Sequence, residues 1–446
     1  MKWIALALLL VAIPAIAGWL RTRPTGAPIV WGLLTFLPFV ITPWHLFAAP
    51  YSTPMWSGYV KGWEFTLLDA IALAILAGSP QRWRGLKLVG PFVLYLVAVL
   101  LAVFQARFTN LALSYAFQLL RVGLVLLAAT QVMQNDRGER ALITGLVLGL
   151  TVQAAYALVA RAGGALQTGG SLGHQNLLGF ASHMAIMPVF ASLLAGRNTK
   201  IATLGVCSGL LAVALTASRA TILISGTGMV TTLLISCFLR FNARKGAIAL
   251  AGMIVLAGAS WLAYESLQRR FQVHDIALLE EDSQRIAFAR AAGDIIRAKP
   301  LGVGPNFYNF IANTEGYNAR AGVNWSTGNR SAQVHNSYLL ALAETGYPGL
   351  VALVILLGSG IWLGCFLTWR FRSQPESELA LGLLIALLCV CVHSFVEWML
   401  LIYPVQYLLG TTLGMLAGLS MRLNDTRRRA ISVDSRVPTA LRRVHA

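Results

Sequence analysis

The chain has 446 residues, 57% of them hydrophobic and 12% charged, and a mean hydropathy of +0.67. No soluble domain of this length can cover so much apolar surface, which excludes a water-soluble enzyme. The net charge of +18 sits in short loops and a C-terminal tail, with no separate basic domain. It therefore argues for a topology signal and attraction to anionic lipid, and against nucleic-acid binding.

Apolar runs close to bilayer length recur from end to end. The candidate spans are 3–20, 28–47, 64–80, 88–106, 111–133, 141–160, 177–195, 201–217, 220–239, 246–264, 348–369, 379–399 and 404–421. One of these is expected to be interfacial or re-entrant, so the prediction is an all-α polytopic membrane protein of about 12 transmembrane helices. Met1-Lys2, an apolar stretch and Ala15-Ile16-Ala17 resemble a cleavable signal peptide, but the second apolar run from Pro28 favours a retained first helix. Cys207, Cys237, Cys365, Cys389 and Cys391 all lie in apolar runs and read as small buried hydrophobes.

Orientation follows from the short basic loops. Gln81-Arg82-Trp83-Arg84-Gly85-Leu86-Lys87, Arg137 with Arg140, Arg197 with Lys200, Arg240 with Arg244 and Lys245, and Arg370 with Arg372 alternate along the chain, and the tail from Arg422 to Arg443 is basic. These loops and the C-terminus are expected to be cytoplasmic. The loops 48–63, 107–110, 161–176, 218–219, 265–347 and 400–403 then face the other side. Arg21 and Arg23 leave the N-terminal side open. The expected division is ten spans in 1–264, a large extramembrane loop in 265–347, C-terminal spans in 348–421 and a basic tail in 422–446.

The loop 265–347 is the one long polar island, and chemistry is expected there. Residues 283–298 read as a helix capped by Asp282 or Ser283, with Ile286, Ala289, Gly293 and Ile296 as its apolar stripe. Arg285 falls in its first turn, where a cation opposes the helix dipole unless an anion is near. The alternative is a solvated arginine paired with Glu281. Lys299-Pro300-Leu301-Gly302-Val303-Gly304-Pro305 stops the helix, either as a plain turn or as a substrate-lining loop. His335 precedes Asn336-Ser337 at a helix start, whose dipole favours the neutral imidazole that a general base needs.

Outside the island, Arg219 stands between two apolar runs with almost no loop, so it meets a headgroup or lines a cavity. Together Arg219 and Arg285 have the chemistry to clamp a diphosphate. Gly173-His174-Gln175-Asn176 opens the span at Leu177 on the same side. Arg121 and Asp69 fall inside apolar runs and need partners. His393 and Glu397, four apart, are expected to share a helix face near its outer end and to serve structural hydrogen bonding. Glu280-Glu281-Asp282 reads as a solvated helix start. There is no Walker loop, redox motif or His-Glu-x-x-His. The reaction is therefore expected to run without ATP and to draw its energy from the substrate.

Together these residues resemble the O-antigen ligase and polymerase superfamily of bacterial inner membranes. The resemblance rests on Thr216-Ala217-Ser218-Arg219-Ala220, on Ser283-Gln284-Arg285 with Pro300-Leu301-Gly302-Val303-Gly304, on His335-Asn336 with Glu344-x-Gly346-x-x-Gly349, and on His393-Ser394-x-x-Glu397. It covers roughly residues 170–400. Phe288, three after Arg285, is a mild departure from the aromatic expected there, such as Trp. The resemblance implies a GT-C-like fold with a large periplasmic, partly helical loop over a lateral cavity. It implies metal-independent, inverting transfer of a glycan from undecaprenyl diphosphate to a sugar hydroxyl of the lipid A-core, completing lipopolysaccharide. Arg219 and Arg285 become diphosphate ligands and catalytic residues, and His335 activates or positions the acceptor hydroxyl. His174, Asn176, Gly302, Gly304, Asn306, Asn336 and Tyr338 are the candidate substrate-lining residues. Rival readings are an O-antigen polymerase, a protein O-oligosaccharyltransferase, which tends to carry a longer C-terminal extension, and a lipid-linked sugar flippase. The flippase should line its charges through the midplane rather than at one face.

Overall fold

A computed structural model describes residues 2–78, 86–253, 283–326 and 328–434, with side chains in the last helix described as far as residue 426. It is a helical bundle. Its elements are α1 (Lys2–Thr22), α2 (Ala27–Phe36), strands β1 (Phe47–Ser52) and β2 (Gly62–Thr66), α3 (Leu67–Gly78), α4 (Val89–Ala102), α5 (Thr109–Val132), α6 (Asp136–Ala162), α7 (Gln175–Leu194), α8 (Thr199–Leu215) and α9 (Arg219–Leu239). After helical residues 243–253 come α10 (283–298), α11 (Tyr308–Thr314), α12 (Tyr317–Arg320), α13 (Ser337–Arg370), α14 (Glu376–His393) and α15 (Tyr403–Asp434).

Among the described residues seven helices are long and apolar enough to cross a membrane: α1, α5, α6, α7, α9, α13 and α14. Ala27–Phe39, Leu67–Gly78, Val89–Gln105 and Thr199–Leu215 are apolar but shorter. The chain is thus an all-α polytopic membrane protein in class. The expected span 246–264 lies mostly outside the described residues, as do the loop 79–85, the acidic run 280–282 and the tail beyond 434.

Two expected spans are shorter in the structure, for a physical reason. The expected 28–47 leaves the α-helix after Phe36 and passes through a single 3-10 turn, and 64–80 begins as a strand. β1 and β2 pair antiparallel, with Phe47 opposite Thr66, Tyr51 opposite Trp63 and Ser52 opposite Gly62. Lys2 Nζ donates to Ser52 Oγ (2.7 Å) and Trp3 packs edge-on against Tyr51, so α1 covers the hairpin. A capping box then starts α3: Thr66 N donates to Asp69 Oδ2 (2.7 Å) and Asp69 N donates to Thr66 Oγ1 (3.3 Å). Asp69 also receives Arg121 Nη1 (3.2 Å) and the Tyr407 hydroxyl (2.6 Å), with Asp69 and Arg121 respectively 0% and 2% exposed. The two intramembrane charges are therefore each other's partners.

The helices that matter for function are α7, α9, α13 and α14. α14 packs against α7, α9 and α13. α7 and α14 run antiparallel, and the 20 residues of α7 give it a length of about 30 Å. At the α7 C-terminus an ion-pair network joins Arg197 to Glu139 (2.6 Å) and Glu376, Arg422 to Asp136 (2.9 Å) and Glu139, and Lys245 to Glu378 (2.7 Å). At the α7 N-terminus lies the site described next.

Candidate active site

Four helix starts meet at this end of the bundle. His174 precedes α7 and its Nδ1 accepts from Asn176 N (3.2 Å). Ser218 caps α9, accepting from Thr221 N (3.4 Å). Asn336 caps α13, accepting from Tyr338 N and Leu339 N (both 2.9 Å). α10 brings Arg285 in its first turn. Polar capping residues begin α7, α9 and α13, as expected where the first N–H groups lack intrahelical partners. Their dipoles leave positive partial charge at one place.

A carboxylate sits at the centre. Glu397 lies in the turn after α14 and is 2% exposed. Its Oε1 accepts from Arg285 Nη2 (3.0 Å) and from Asn176 Nδ2 (2.6 Å). Its Oε2 meets His335 Nδ1 at 3.2 Å. Its backbone is held as firmly: its N–H donates to His393 O (3.0 Å), and its carbonyl accepts from Ser337 N (3.1 Å) and Ser337 Oγ (2.7 Å). Burial alone would push this carboxyl up. The hydrogen bond from His335 and the charge of Arg285, with the imidazoles of His335 and His174 close by, outweigh that and hold it below its ordinary range. For His174 burial dominates and lowers its affinity for a proton, with His335 and Arg285 acting the same way against the pull of Glu397.

Arg285, His335, Asn176 and His174 are therefore brought together. Arg285 does not stand alone against solvent: besides Glu397 it donates to Val396 O (3.2 Å), while Glu281 lies outside the described residues. Arg219 is the exposed first residue of α9, tied to the cluster one residue away, where Ser218 Oγ donates to Asn176 Oδ1 (2.9 Å). Phe288 is buried, its ring 6.3 Å from that of His335, so the departure from the larger aromatic still supplies an apolar wall.

Asn336 and Tyr338 hold the turn that carries Glu397. Asn336 Nδ2 donates to Phe395 O (2.9 Å) and the Tyr338 hydroxyl to Cys391 O (2.9 Å). Gly302, Gly304 and Asn306 sit elsewhere. Val303 N donates to Ala343 O (3.0 Å), Gly304 N to Glu344 O (2.9 Å) and Tyr347 N to Pro300 O (3.2 Å). Asn306 is fully buried and exchanges bonds with Val60, Nδ2 to O at 2.8 Å and N to Oδ1 at 2.9 Å. Glu344 itself accepts from the Tyr59 hydroxyl (2.7 Å) and Tyr308 N (3.0 Å). These motif residues form a packed lock between the 300–308 turn and α13. Their contacts named here are with protein, and none of them reaches Glu397, Arg285 or His335.

The residue that the sequence reading left out of the site is Glu397. It expected His393 and Glu397 to share a face on one helix, yet α14 ends at His393 and the two side chains part. His393 turns inward, its Nδ1 3.0 Å from His183 Nε2 and its ring stacked on Phe180. Glu397 turns toward the four helix starts. The available signal was an acid at the end of an apolar run, which needs a cationic partner.

Chemically, an ionised carboxylate only accepts, so His335 donates through Nδ1 and keeps the lone pair of Nε2 for another group. His335 and Arg285 are 27% and 32% exposed. The place offers cations and helix N-termini for an anion beside an imidazole able to take a proton.

The fold and site define a multi-pass membrane protein with a cationic, histidine-bearing site at one end of its bundle. Residues 204–354 match the family model described as O-antigen ligase. No curated protein matches the chain. The matched segment holds Arg219, Arg285 and His335 and ends before Glu397. The match supports a membrane glycosyltransferase-like activity of the ligase or polymerase type.

Proposed function

We propose that the protein is an O-antigen ligase that moves a glycan from undecaprenyl diphosphate to a sugar hydroxyl of the lipid A-core. The site would face the periplasm from the bacterial inner membrane, with the C-terminus in the cytoplasm. The observation that carries this reading is that one buried carboxylate gathers Arg285 and His335 where four helix starts meet, with Arg219 beginning one of those helices. A diphosphate leaving group needs such positive charge, because negative charge grows on its bridging oxygen as the glycosidic bond breaks. Guanidinium groups match phosphate oxygens bidentately, which suits Arg219 and Arg285 to that role.

In this mechanism the acceptor hydroxyl loses its proton to His335 Nε2 while its oxygen bonds to the anomeric carbon. The bond from that carbon to the diphosphate oxygen breaks, and undecaprenyl diphosphate leaves with the electron pair. A single displacement inverts the anomeric configuration. The donor brings the energy, so neither a nucleotide nor a resident metal ion enters the scheme. Concentration of the site groups at one end of the bundle supports surface chemistry over the charge-lined path of a flippase.

The test is the lipopolysaccharide pattern of a strain lacking the gene. Loss of long chains with accumulation of the lipid-linked polymer supports the ligase. Core bearing a single repeat identifies a polymerase, and an unchanged pattern overturns both.

A further inference from the structure

We infer that Glu397 is a positioning residue for the transfer step: it fixes the tautomer and direction of His335 and stabilises the imidazolium formed when the acceptor proton arrives. This rests on the reading of the site given above. The geometry carries it. Glu397 reaches His335 Nδ1 with Oε2 (3.2 Å) and spends Oε1 on Arg285 (3.0 Å) and Asn176 (2.6 Å). The carboxylate therefore cannot swing away from the ring without breaking bonds to two other segments of the chain.

Its position is built in from the backbone as well. Ser337, two residues after His335, donates twice to the Glu397 carbonyl, through N (3.1 Å) and Oγ (2.7 Å). The histidine and its partner are thus held in one frame, the α13 start against the α14 end. The titratable and charged groups facing Glu397 are Arg285 from α10, His335 before α13, and His174 before α7, while His393 of α14 contributes its carbonyl and turns its ring inward. All three facing side chains are bases, so the carboxylate stays ionised and acts only as an acceptor.

The step balances as follows. The acceptor O–H proton passes to His335 Nε2 as the C–O bond to the acceptor forms and the C–O bond to the diphosphate breaks. His335 then carries two N–H groups and one positive charge. Glu397, hydrogen-bonded at Nδ1, meets that charge across 3.2 Å. Glu397 gains no proton and touches no substrate.

The experiment uses full-length protein in proteoliposomes with an undecaprenyl diphosphate-linked glycan and a lipid A-core acceptor. Glu397→Gln keeps an oxygen for Asn176 and Arg285 and preserves volume, so the fold and the donor site are retained. Its kcat is expected to fall on the order of 10²-fold, the lower end of what a positioned general base contributes. The dissociation constant for undecaprenyl diphosphate alone stays within about twofold. Removing the negative charge disfavours the imidazolium, so the acid limb of the kcat profile moves to lower pH. Glu397→Asp recovers part of the lost kcat. An unchanged kcat and pH profile overturns the inference. So does a loss of activity matched by an equal loss of undecaprenyl diphosphate binding, which would make Glu397 a prop for Arg285 only. Wild-type protein that transfers no glycan from this donor sinks the ligase reading instead, so the two failures are distinguishable.

Discussion

Gly346 offers a test of how the polar segment is fastened to the membrane helices. It has φ 65° and ψ −174° at a kink that divides α13 into two helical segments, a conformation essentially reserved for glycine, where a side chain costs about 1–3 kcal/mol. A Cβ built there lies 2.4 Å from Leu301 C and 2.6 Å from both Leu301 Cα and O. All three are backbone or backbone-bound atoms, so no rotamer change relieves the contact. Leu301 must retreat by about 1 Å to reach van der Waals distance. Overpacking of this kind adds about 1–3 kcal/mol, so Gly346→Ala is expected to cost about 2–6 kcal/mol together with the strain. The retreat pulls on Val303 N–Ala343 O and Tyr347 N–Pro300 O, the bonds that hold the turn between Arg285 and His335. The control is Gly358→Ala in the helical segment after the kink, where a Cβ meets nothing within 4 Å and alanine should gain up to about 1 kcal/mol. Thermal unfolding in detergent and limited proteolysis around residues 300–308 measure both variants. If Gly346→Ala is as stable and as protease-resistant as Gly358→Ala, the lock does not exist as described.

The remaining predictions concern the site. Arg219→Ala and Arg285→Ala are each expected to abolish detectable glycan transfer while the protein still inserts, because each removes a cation that the leaving diphosphate needs; retained transfer in both would sink the diphosphate clamp. Acid should loosen the site. The native affinity of His174 and of Glu397 for protons is depressed relative to the unfolded chain, so the unfolded state binds more protons as pH falls. Stability is then complete above the ordinary histidine value of 6.5. It declines below it and again below the ordinary carboxyl value of 4.5. Unfolding midpoints measured from pH 8 to pH 4 check this, and a flat profile contradicts it. EDTA is expected to leave transfer by the purified protein unchanged; inhibition reversed by one particular metal would require a different scheme.

Hydropathy carried the class and most helix positions because burial in lipid leaves few alternatives for an apolar run. It failed where short-range hydrogen bonding competes with helix. The start of α3 is displaced by the capping box of Thr66 and Asp69, and the stretch before it is a hairpin. A hydropathy window averages over both. α10 was legible as a helix from its proline-glycine stop, but the expected stripe is off by one position: Ala287, Phe288, Ala291, Ala292 and Ile295 are buried with Ile296, while Ile286 is exposed.

The glycine-rich motif and the charged motif are equally prominent in the sequence, yet they do different work. Pro300-Leu301-Gly302-Val303-Gly304 and Glu344-x-Gly346 lie against each other because both glycines allow backbone to approach backbone: a Cβ at Gly302 would lie 2.4 Å from Glu344 O. That lock fixes the two ends of the segment that carries His335 and anchors the end of α10, which carries Arg285. What the lock cannot supply is the direction of the histidine, and the residue that supplies it lies 62 positions further along, in another helix turn. Sequence spacing is silent about such a pair, since nothing local relates His335 to Glu397. Only the folding of α14 against α7 and α13 brings the acid within reach. A buried acid at the end of an apolar run, whose neighbouring His393 turns inward to His183, therefore predicts a base from elsewhere in the chain. Here that acid holds three segments at one point.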